Sequence, residues 1–302
     1  MSTIVLALGG NALGNNVKEQ LEMVKSAAKS VVDFVEQGHK VVIAHGNGPQ
    51  VGMIKLLMDA GKDDMPLVEC IAMSQGYIGY HIQQAIRNEL ATRGISKEVA
   101  TIPSQTVVDK NDPAFQKPTK PIGAYSTEEE AKKIMAETGK FYMEDAGRGW
   151  RWAVASPKPI DIVEKEVVKK MLADDMVVIA CGGGGTPVYN DSGLWKGIDA
   201  VVDKDFASAK MAELIGADTL IILTAVEHVA LNFNKADHQD LTALTVADAK
   251  KYEDEGHFAP GSMLPKVQAC ASFIENGGKK AIIAALEKAR EAIAGQSGTA
   301  FQ

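Results

Sequence analysis

The chain has 302 residues, of which 46% are hydrophobic, and this composition is typical of a globular protein that buries a sizeable core. Its 32 lysine and arginine residues against 39 aspartate and glutamate residues give a formal net charge of -7, so the positive charge expected of a nucleic-acid-binding protein is absent. Cys70, Cys181 and Cys270 have no C-x-x-C spacing, which argues against a disulfide framework or a zinc knuckle and favours a reducing compartment.

No segment has the pattern of a targeting or membrane sequence. The first apolar run has no basic segment before it and ends quickly at glycine, unlike a signal peptide. No apolar stretch approaches the roughly 18 residues of a membrane helix. We therefore expect a soluble, cytoplasmic protein without a membrane partner.

Six short apolar runs predict buried strands. They occupy residues 3–8, 40–44, 99–108, 176–180, 219–224 and 280–286. Amphipathic stretches lie between them; in residues 16–38, for example, apolar side chains recur at i, i+3 and i+4, and Gly38 supplies a C-terminal stop. This alternation predicts an α/β fold with an open, mainly parallel sheet covered on both faces.

Glycines and small polar residues follow four of these runs. The four segments are residues 9–14, 45–52, 181–187 and 224–228. One such segment alone would indicate a tight turn, but ligands of open α/β sheets bind outside the carboxyl ends of the strands. Four segments in this position therefore predict one ligand-binding crevice.

The first of these segments, GGNALG at residues 9–14, looks like a phosphate loop but matches neither G-x-G-x-x-G nor a pattern ending in G-K-[ST]. Consecutive backbone N–H groups beside glycine bind anions, and the amides of Asn11 and Asn47 suit a small planar ligand. Since the segment has no lysine, positive charge for an anionic ligand must come from elsewhere in the chain.

Residues 112–159 interrupt the alternation of strands and helices. This stretch contains five prolines, and its cationic residues include Lys117, Lys120, Arg148 and Arg151. Long connections inside a compact domain are usually lids or small subdomains. We predict a single domain over residues 1–302, with an inserted flap subdomain at 112–159 above the crevice; a charged surface loop is the alternative.

Two lysines in the second half are candidates for the missing charge. Lys204 stands between Asp203 and Asp205 where a helix is predicted to begin, and Lys266 follows a Gly-Ser-Met-Leu-Pro bend. Phosphoryl transfer depends on positioning and charge stabilisation, so lysines directed at the transferring phosphoryl group are expected in such a site. A lysine flanked by aspartates is otherwise a common solvated surface residue.

Eight segments, in order and over nearly the whole chain, form a recognisable set: ALGGNA (7–12), HGNGPQVG (45–52), MSQGYIGY (73–80), KPTKPIG (117–123), EDAGRGWRWAVASPKP (144–159), CGGGGTPV (181–188), VVDKDFA (201–207) and GHFAPGSMLPKV (256–267). Each segment alone is a weak signal, whereas the eight together exclude coincidence. With these segments the chain closely resembles the carbamate kinases of the amino acid kinase superfamily.

The resemblance implies a three-layer αβα sandwich and a homodimer. It also implies the Mg²⁺-dependent reversible reaction ATP + carbamate ⇌ ADP + carbamoyl phosphate, run towards ATP in a catabolic role linked to arginine metabolism.

Residue roles follow from the same resemblance. The catalytic residues would be Lys120, Lys204, Asp205 and Lys266. The carbamate or the transferring phosphoryl group would bind Gly9, Gly10, Asn11, Gly46, Asn47 and Gly48. The nucleotide would bind Lys204, Thr224, Ala225, Val226, Ser262, Met263 and Lys266. Related kinases often have aspartate where this chain has Ala225.

Other chemistries find little support. The six histidines lack H-E-x-x-H or comparable spacing, so we expect no metal site in the protein and a Mg²⁺ ion held by the nucleotide. Ser74 lies in no G-x-S-x-G elbow. Two alternatives remain: a kinase for another small carboxylate or phosphonate, and a catalytically silent nucleotide-binding protein, against which the three lysines argue.

Overall fold

A computed structural model of the chain describes residues 2–9, 17–61, 65–145 and 147–302. The helices are α1 Val17–Glu36, α2 Gly48–Ala60, α3 Leu67–Thr92, α4 Glu128–Thr138, α5 Lys165–Ala173, α6 Lys204–Ile215, α7 Val246–Asp254, α8 Met263–Glu275 and α9 Ala289–Ile293. Short 3-10 turns occupy Pro113–Phe115, Gly182–Gly184 and Leu286–Lys288.

The strands are β1 Thr3–Leu8, β2 Lys40–His45, β3 Val99–Thr101, β4 Gln105–Val107, β5 Lys120–Ser126, β6 Tyr142–Glu144, β7 Trp150–Val154, β8 Asp161–Ile162, β9 Val177–Ile179, β10 Thr186–Asp191, β11 Leu194–Gly197, β12 Thr219–Thr224, β13 Val229–Leu231, β14 Gln239–Leu241, β15 Ala243–Leu244, β16 Lys280–Ala285 and β17 Thr299–Phe301.

The central sheet has the strand order β15-β17-β16-β12-β1-β2-β9-β3. Its neighbouring strands are parallel, apart from the antiparallel pair β16 and β17. A parallel pair needs a crossover connection, and helices supply it here. The predicted α/β fold with a mainly parallel sheet is therefore confirmed.

The central sheet separates two hydrophobic cores. Ile4, Leu6 and Leu8 of β1 point into the core that contains α1, α3 and α9. Val5 and Ala7 point into the other core, which contains α5, α6, α7 and α8. Because successive side chains of a strand face opposite sides, a sheet buried on both faces must be apolar throughout, as β1 is. The arrangement is the expected αβα sandwich.

The strands β12, β1, β2 and β9 are consecutive neighbours in this sheet, so the segments after them begin along one edge. Backbone hydrogen bonds continue past the strand ends: Gly9 N donates to Leu223 O at 3.1 Å, and Gly46 N donates to Leu8 O at 3.1 Å. The four segments that follow these strands therefore start side by side, as the crevice prediction requires.

Residues 112–159 contain a small sheet of their own. Its order is β5-β7-β6, and α4 contacts all three strands. Ile122 and Val154 of this sheet pack with Val51 of α2 in a third apolar cluster. The two ends of the segment meet at Asp112, whose carboxylate accepts from Ala114 N at 2.8 Å and, through its other oxygen, from Lys158 N at 3.1 Å.

The apolar run at 99–108 forms two strands instead of the single predicted one. The strand β3 lies at the edge of the central sheet, whereas β4 joins a second sheet of order β11-β10-β4-β8. Between them, Pro103 has no N–H to donate to a ladder, and the Ser104 N–H is taken by Gln75 Oε1 at 2.8 Å. The chain therefore changes sheets at this point.

Within the described residues, no helix is both long enough and apolar enough to cross a membrane.

Candidate active site

Three of the predicted catalytic residues meet at the start of α6. Asp205 is 2% exposed. Its Oδ2 accepts from Lys266 Nζ at 3.0 Å, and its Oδ1 accepts from Lys204 Nζ. Lys266 also donates to Ser262 O at 3.1 Å, within the first turn of α8. A buried carboxylate that binds two ammonium groups fixes both of them in space.

Lys120 reaches the same region from the small sheet. Its Nζ donates to Asp203 Oδ2 at 2.9 Å, although the two residues are 83 positions apart. The Oδ1 of Asp203 accepts from Asp205 N at 2.9 Å and so caps the N-terminus of α6. The structure therefore brings Lys120, Lys204 and Lys266 to two aspartates that flank one residue of the chain.

The charge of Asp203 is held by these contacts. Burial acts to raise the pKa of its carboxyl group, but the Lys120 ammonium, its hydrogen bond and the charge of Lys204 outweigh burial. The pKa of Asp203 therefore lies below its ordinary value, and the group is an anion at neutral pH.

All the residues predicted to bind the nucleotide line one cavity of about 820 Å³. Its lining includes Gly9, Lys204, Thr224, Ala225, Val226, Ser262, Met263 and Lys266. The cavity also has lining residues that the sequence did not single out, among them Asn232, Phe233 and Lys235. A concave site of this size, in which Lys204 and Lys266 lie together at Asp205, suits a polyanionic small molecule.

A glycine loop, residues 182–185, packs against Asn47 and against the residue before Asp203. Asn47 is buried, and its Nδ2 donates to Ser74 Oγ at 2.8 Å. A Cβ atom on Gly183, whose φ is +65°, would lie 2.0 Å from that Nδ2. A Cβ atom on Gly184 would lie 2.0 Å from the carbonyl oxygen of Val202, the residue before Asp203. The loop at 182–185 therefore joins the Asn47 side of the site to the lysine side.

The ring of His45 packs against the same loop at Gly182. It is fully buried at the end of β2, and burial lowers its pKa from 6.5 to about 4, so the ring is neutral at physiological pH. Its Nδ1 lies 2.8 Å from Gly46 O and acts as the donor of that hydrogen bond. A Cβ atom on Gly182 would lie 2.5 Å from the His45 Nε2, so the ring leaves room only for glycine there.

Some predicted site residues fall outside the described part of the chain. Gly10 and Asn11 are among these, so their roles stay predictions. Of the same predicted group, Gly9 lines the cavity, and Gly46, Asn47 and Gly48 form the junction between β2 and α2.

Asp203, Ser74 and Thr106 were not predicted as site residues. In the sequence, Asp203 stands out only as one of the two aspartates beside Lys204, and this D-K-D pattern is the signal that could have identified it. Thr106 Oγ1 donates to Gly184 O at 2.7 Å and Ser74 accepts from Asn47, and no local sequence pattern indicates either contact.

The described residues contain no group of three or more His, Cys, Asp or Glu side chains that could hold a metal ion. The two aspartates closest to the lysines already accept hydrogen bonds from them. This donor set fits a divalent cation that arrives on a nucleotide and is bound mainly by phosphate and water.

Comparisons with known proteins show the family of the chain. The model of the amino acid kinase family matches residues 2–285. A carbamate kinase of Clostridium perfringens is 53% identical over 308 residues, which cover 98% of this chain and 98% of that protein. The carbamate kinase-like protein YqeA of Escherichia coli is 53% identical over 303 residues, which cover 98% of this chain and 97% of that protein.

A solved structure of a carbamate kinase is also similar to this chain. The structure of carbamate kinase from Giardia lamblia bound to AMP-PNP superimposes with a TM-score of 0.94 at 41% sequence identity. The match covers 99% of this chain and 98% of that chain.

Proposed function

We propose that this chain, which belongs to the amino acid kinase family, acts as a carbamate kinase. It transfers the γ-phosphoryl group of ATP to carbamate, which gives ADP and carbamoyl phosphate. It also catalyses the reverse reaction. One observation carries the proposal: Lys120, Lys204 and Lys266 bind the two aspartates on either side of Lys204, beside a cavity and a glycine loop.

The division of the site follows from its charges. The cavity would hold the nucleotide, with Lys204 and Lys266 on its phosphates and Thr224, Ala225 and Val226 at its wall. The junction Gly46-Asn47-Gly48, together with Gly9, Gly10 and Asn11, would hold carbamate or the transferring phosphoryl group through neutral N–H donors. Lys120 would approach from the flap, the small sheet within residues 112–159.

The lysines remove an electrostatic barrier. Two unit charges 4 Å apart interact by about 4 kcal/mol at an effective dielectric constant near 20, so carbamate and the triphosphate of ATP would repel each other without cations between them. Carbamate oxygen forms a bond to the γ-phosphorus while the bond from that phosphorus to the ADP oxygen breaks. Fixed ammonium groups stabilise the negative charge on the three equatorial oxygens throughout.

Asp205 would act by holding two of these cations. Because it is buried and accepts from both Lys204 and Lys266, neither ammonium needs to reorient when the phosphates arrive. Mg²⁺ would enter as part of the nucleotide substrate and neutralise phosphate charge that the lysines do not reach.

We further propose that the enzyme is cytoplasmic, makes ATP from carbamoyl phosphate in the cell, and works as a homodimer. The dimer is supported by exposed apolar side chains on two adjacent helices: Met53 and Leu57 on α2, Met73 and Tyr80 on α3. Exposed apolar groups of this size commonly mark protein interfaces. Light scattering of the purified protein tests the mass against 64 kDa, twice the 32.2 kDa chain.

A direct assay tests the activity. The protein is incubated with carbamoyl phosphate and MgADP, and ATP is measured by a coupled luciferase reaction. ATP above the enzyme-free background supports the proposal. Acetyl phosphate offered in place of carbamoyl phosphate distinguishes a kinase for another small acid, and ADP binding without turnover on either donor would indicate a silent nucleotide-binding protein.

A further inference from the structure

We propose that Asp203 is a positioning residue, which fixes the flap lysine Lys120 against the N-terminus of α6; this inference rests on the proposed function. Both carboxylate oxygens of Asp203 are occupied. Oδ1 accepts from the backbone N–H of Asp205, and Oδ2 accepts from Lys120 Nζ at 2.9 Å. The carboxylate thereby connects two parts of the site that are 83 residues apart.

Lys120 needs such a partner. It begins β5 at the edge of the small sheet, and its side chain is 31% exposed. A free lysine side chain has about 2 kcal/mol of rotamer entropy, so its ammonium group samples many positions. The main-chain bond from Thr119 N to Val154 O at 3.1 Å fixes the backbone beside Lys120 but not its ammonium group.

The position that Asp203 gives to Lys120 is defined relative to the other lysines. Asp203 is the N-cap of α6, and Lys204 is the first residue of that helix. The carboxylate that fixes Lys120 is therefore attached to the same turn as the carboxylate that fixes Lys204 and Lys266. A shift of about 1 Å in a catalytic group can cost on the order of 10²-fold in rate, so a shared anchor has kinetic value.

The contact also joins the flap to the N-terminus of α6. The two ends of the flap segment meet at Asp112, which accepts from Ala114 N and Lys158 N. The Lys120–Asp203 pair lies between the small sheet and α6, next to Lys204, which lines the cavity. Asp203 therefore keeps Lys120 at the crevice, where an anionic substrate competes with the carboxylate for the same ammonium group.

The first test is a double-mutant cycle. Asp203→Asn keeps an N-cap side chain on α6 but removes the charge that holds Lys120, since asparagine caps as well as aspartate. We expect Asp203→Asn to lower kcat roughly tenfold or more, with the KM for MgADP changed less than about twofold. In a Lys120→Ala background the same substitution should change kcat less than about twofold, because two residues that act as one unit are non-additive.

Asp218 provides a matched control. Its Oδ2 accepts from Thr3 N at 2.8 Å and its Oδ1 accepts from Lys279 Nζ, so it has the same two kinds of partner as Asp203. It precedes β12 and therefore lies at the amino edge of the central sheet, away from the crevice. Asp218→Asn should leave kcat within about twofold of the parent value. Equal losses in Asp203→Asn and Asp218→Asn, or losses that add to Lys120→Ala, would overturn the inference.

A second measurement does not depend on turnover. The folded protein is acetylated briefly with a water-soluble reagent, and modification at each lysine is quantified by mass spectrometry. Lys120 should react at least about threefold faster in Asp203→Asn than in the parent, because its ammonium group loses its partner, whereas the exposed Lys117 should not change. An unchanged rate at Lys120 rejects the positioning role.

Circular dichroism establishes that each variant is folded. Should Asp203→Asn fail to fold, Asp203→Ser replaces it in both measurements, since serine also caps a helix and cannot bind the ammonium as an anion. A parent protein without kinase activity, but with faster acetylation of Lys120 in the variant, would reject the proposed function and retain the role of Asp203 in holding Lys120.

Discussion

Lys266 and Asp205 lie 61 residues apart in the chain, and Lys266 Nζ is 3.0 Å from Asp205 Oδ2. The same carboxylate accepts from Lys204, so one buried anion fixes two cations from two helices, α6 and α8. Removing either lysine leaves a buried carboxylate with half of its partners, and removing the carboxylate leaves two unpaired cations. The predictions below separate these groups by what each is expected to do in the reaction.

Lys204→Ala and Lys266→Ala should each lower kcat by about 10²- to 10³-fold, the usual cost of losing one preorganised stabiliser of a transition state. The measurement is ATP formation from carbamoyl phosphate and MgADP at saturating substrate. Lys210→Ala is the control, because Lys210 is on the same helix and pairs with Glu213 instead of Asp205. Near-normal turnover in either site variant would reject its assignment.

Lys120→Ala should reduce turnover and leave ADP binding nearly intact, because Lys120 belongs to the flap, whereas the nucleotide cavity is lined by residues outside the flap. Isothermal titration with MgADP and the ATP-forming assay measure the two effects separately. The exposed Lys117, three residues earlier, serves as the control in Lys117→Ala. A large loss of ADP affinity in Lys120→Ala would contradict the flap role.

Gly183→Ala should reduce both stability and activity, since its Cβ atom would lie 2.0 Å from Asn47 Nδ2 and force that side chain away from Ser74. Gly139→Ala is the matched control: Gly139 has φ +70°, and no atom lies within 4 Å of its Cβ position. The control should lose about 1–2 kcal/mol of unfolding free energy from left-handed backbone alone, with full activity. Equal behaviour of the two variants in urea unfolding and in the assay would show that the contact with Asn47 has no consequence.

His45 should make the protein less stable in mild acid. Its pKa is about 4 in the folded chain and close to 6.5 when unfolded, so the unfolded state binds the proton more strongly. The full stability is present above pH 6.5 and decreases as the pH falls towards 4, with a loss of about 2 kcal/mol between pH 7 and pH 5.

Urea unfolding of the parent and of His45→Gln at both pH values measures this contribution. Burial also lowers the pKa of His39 and His81, so both proteins should lose some stability in acid. The parent should lose about 2 kcal/mol more than His45→Gln. The same pH dependence in both proteins would contradict a neutral, buried His45.

The elements of the central sheet could be predicted because their signals are local. The strands β1 and β12 have the predicted bounds, 3–8 and 219–224, and α1 follows the i, i+3, i+4 pattern up to the stop at Gly38. The run at 99–108 was predicted as one strand because apolar content alone does not show that Pro103 moves the chain from one sheet to another.

The site was predictable only in part, for a physical reason. The glycine segments and the lysines of the family motifs can be identified along the chain, and the structure brings Lys120, Lys204 and Lys266 together. Their partners depend on contacts between distant segments, such as Asp203 with Lys120 and Gly183 with Asn47, which no local periodicity encodes. The roles of Gly10 and Asn11, which lie outside the described residues, stay predictions.

The most direct measurement of the central claim is the formation of ATP from MgADP and carbamoyl phosphate by the purified protein, with Lys204→Ala purified in parallel. We expect ATP to accumulate in proportion to the concentration of the parent enzyme and at least about 10²-fold more slowly with the variant. ATP at the enzyme-free background with the parent, or equal rates with parent and variant, would contradict the account.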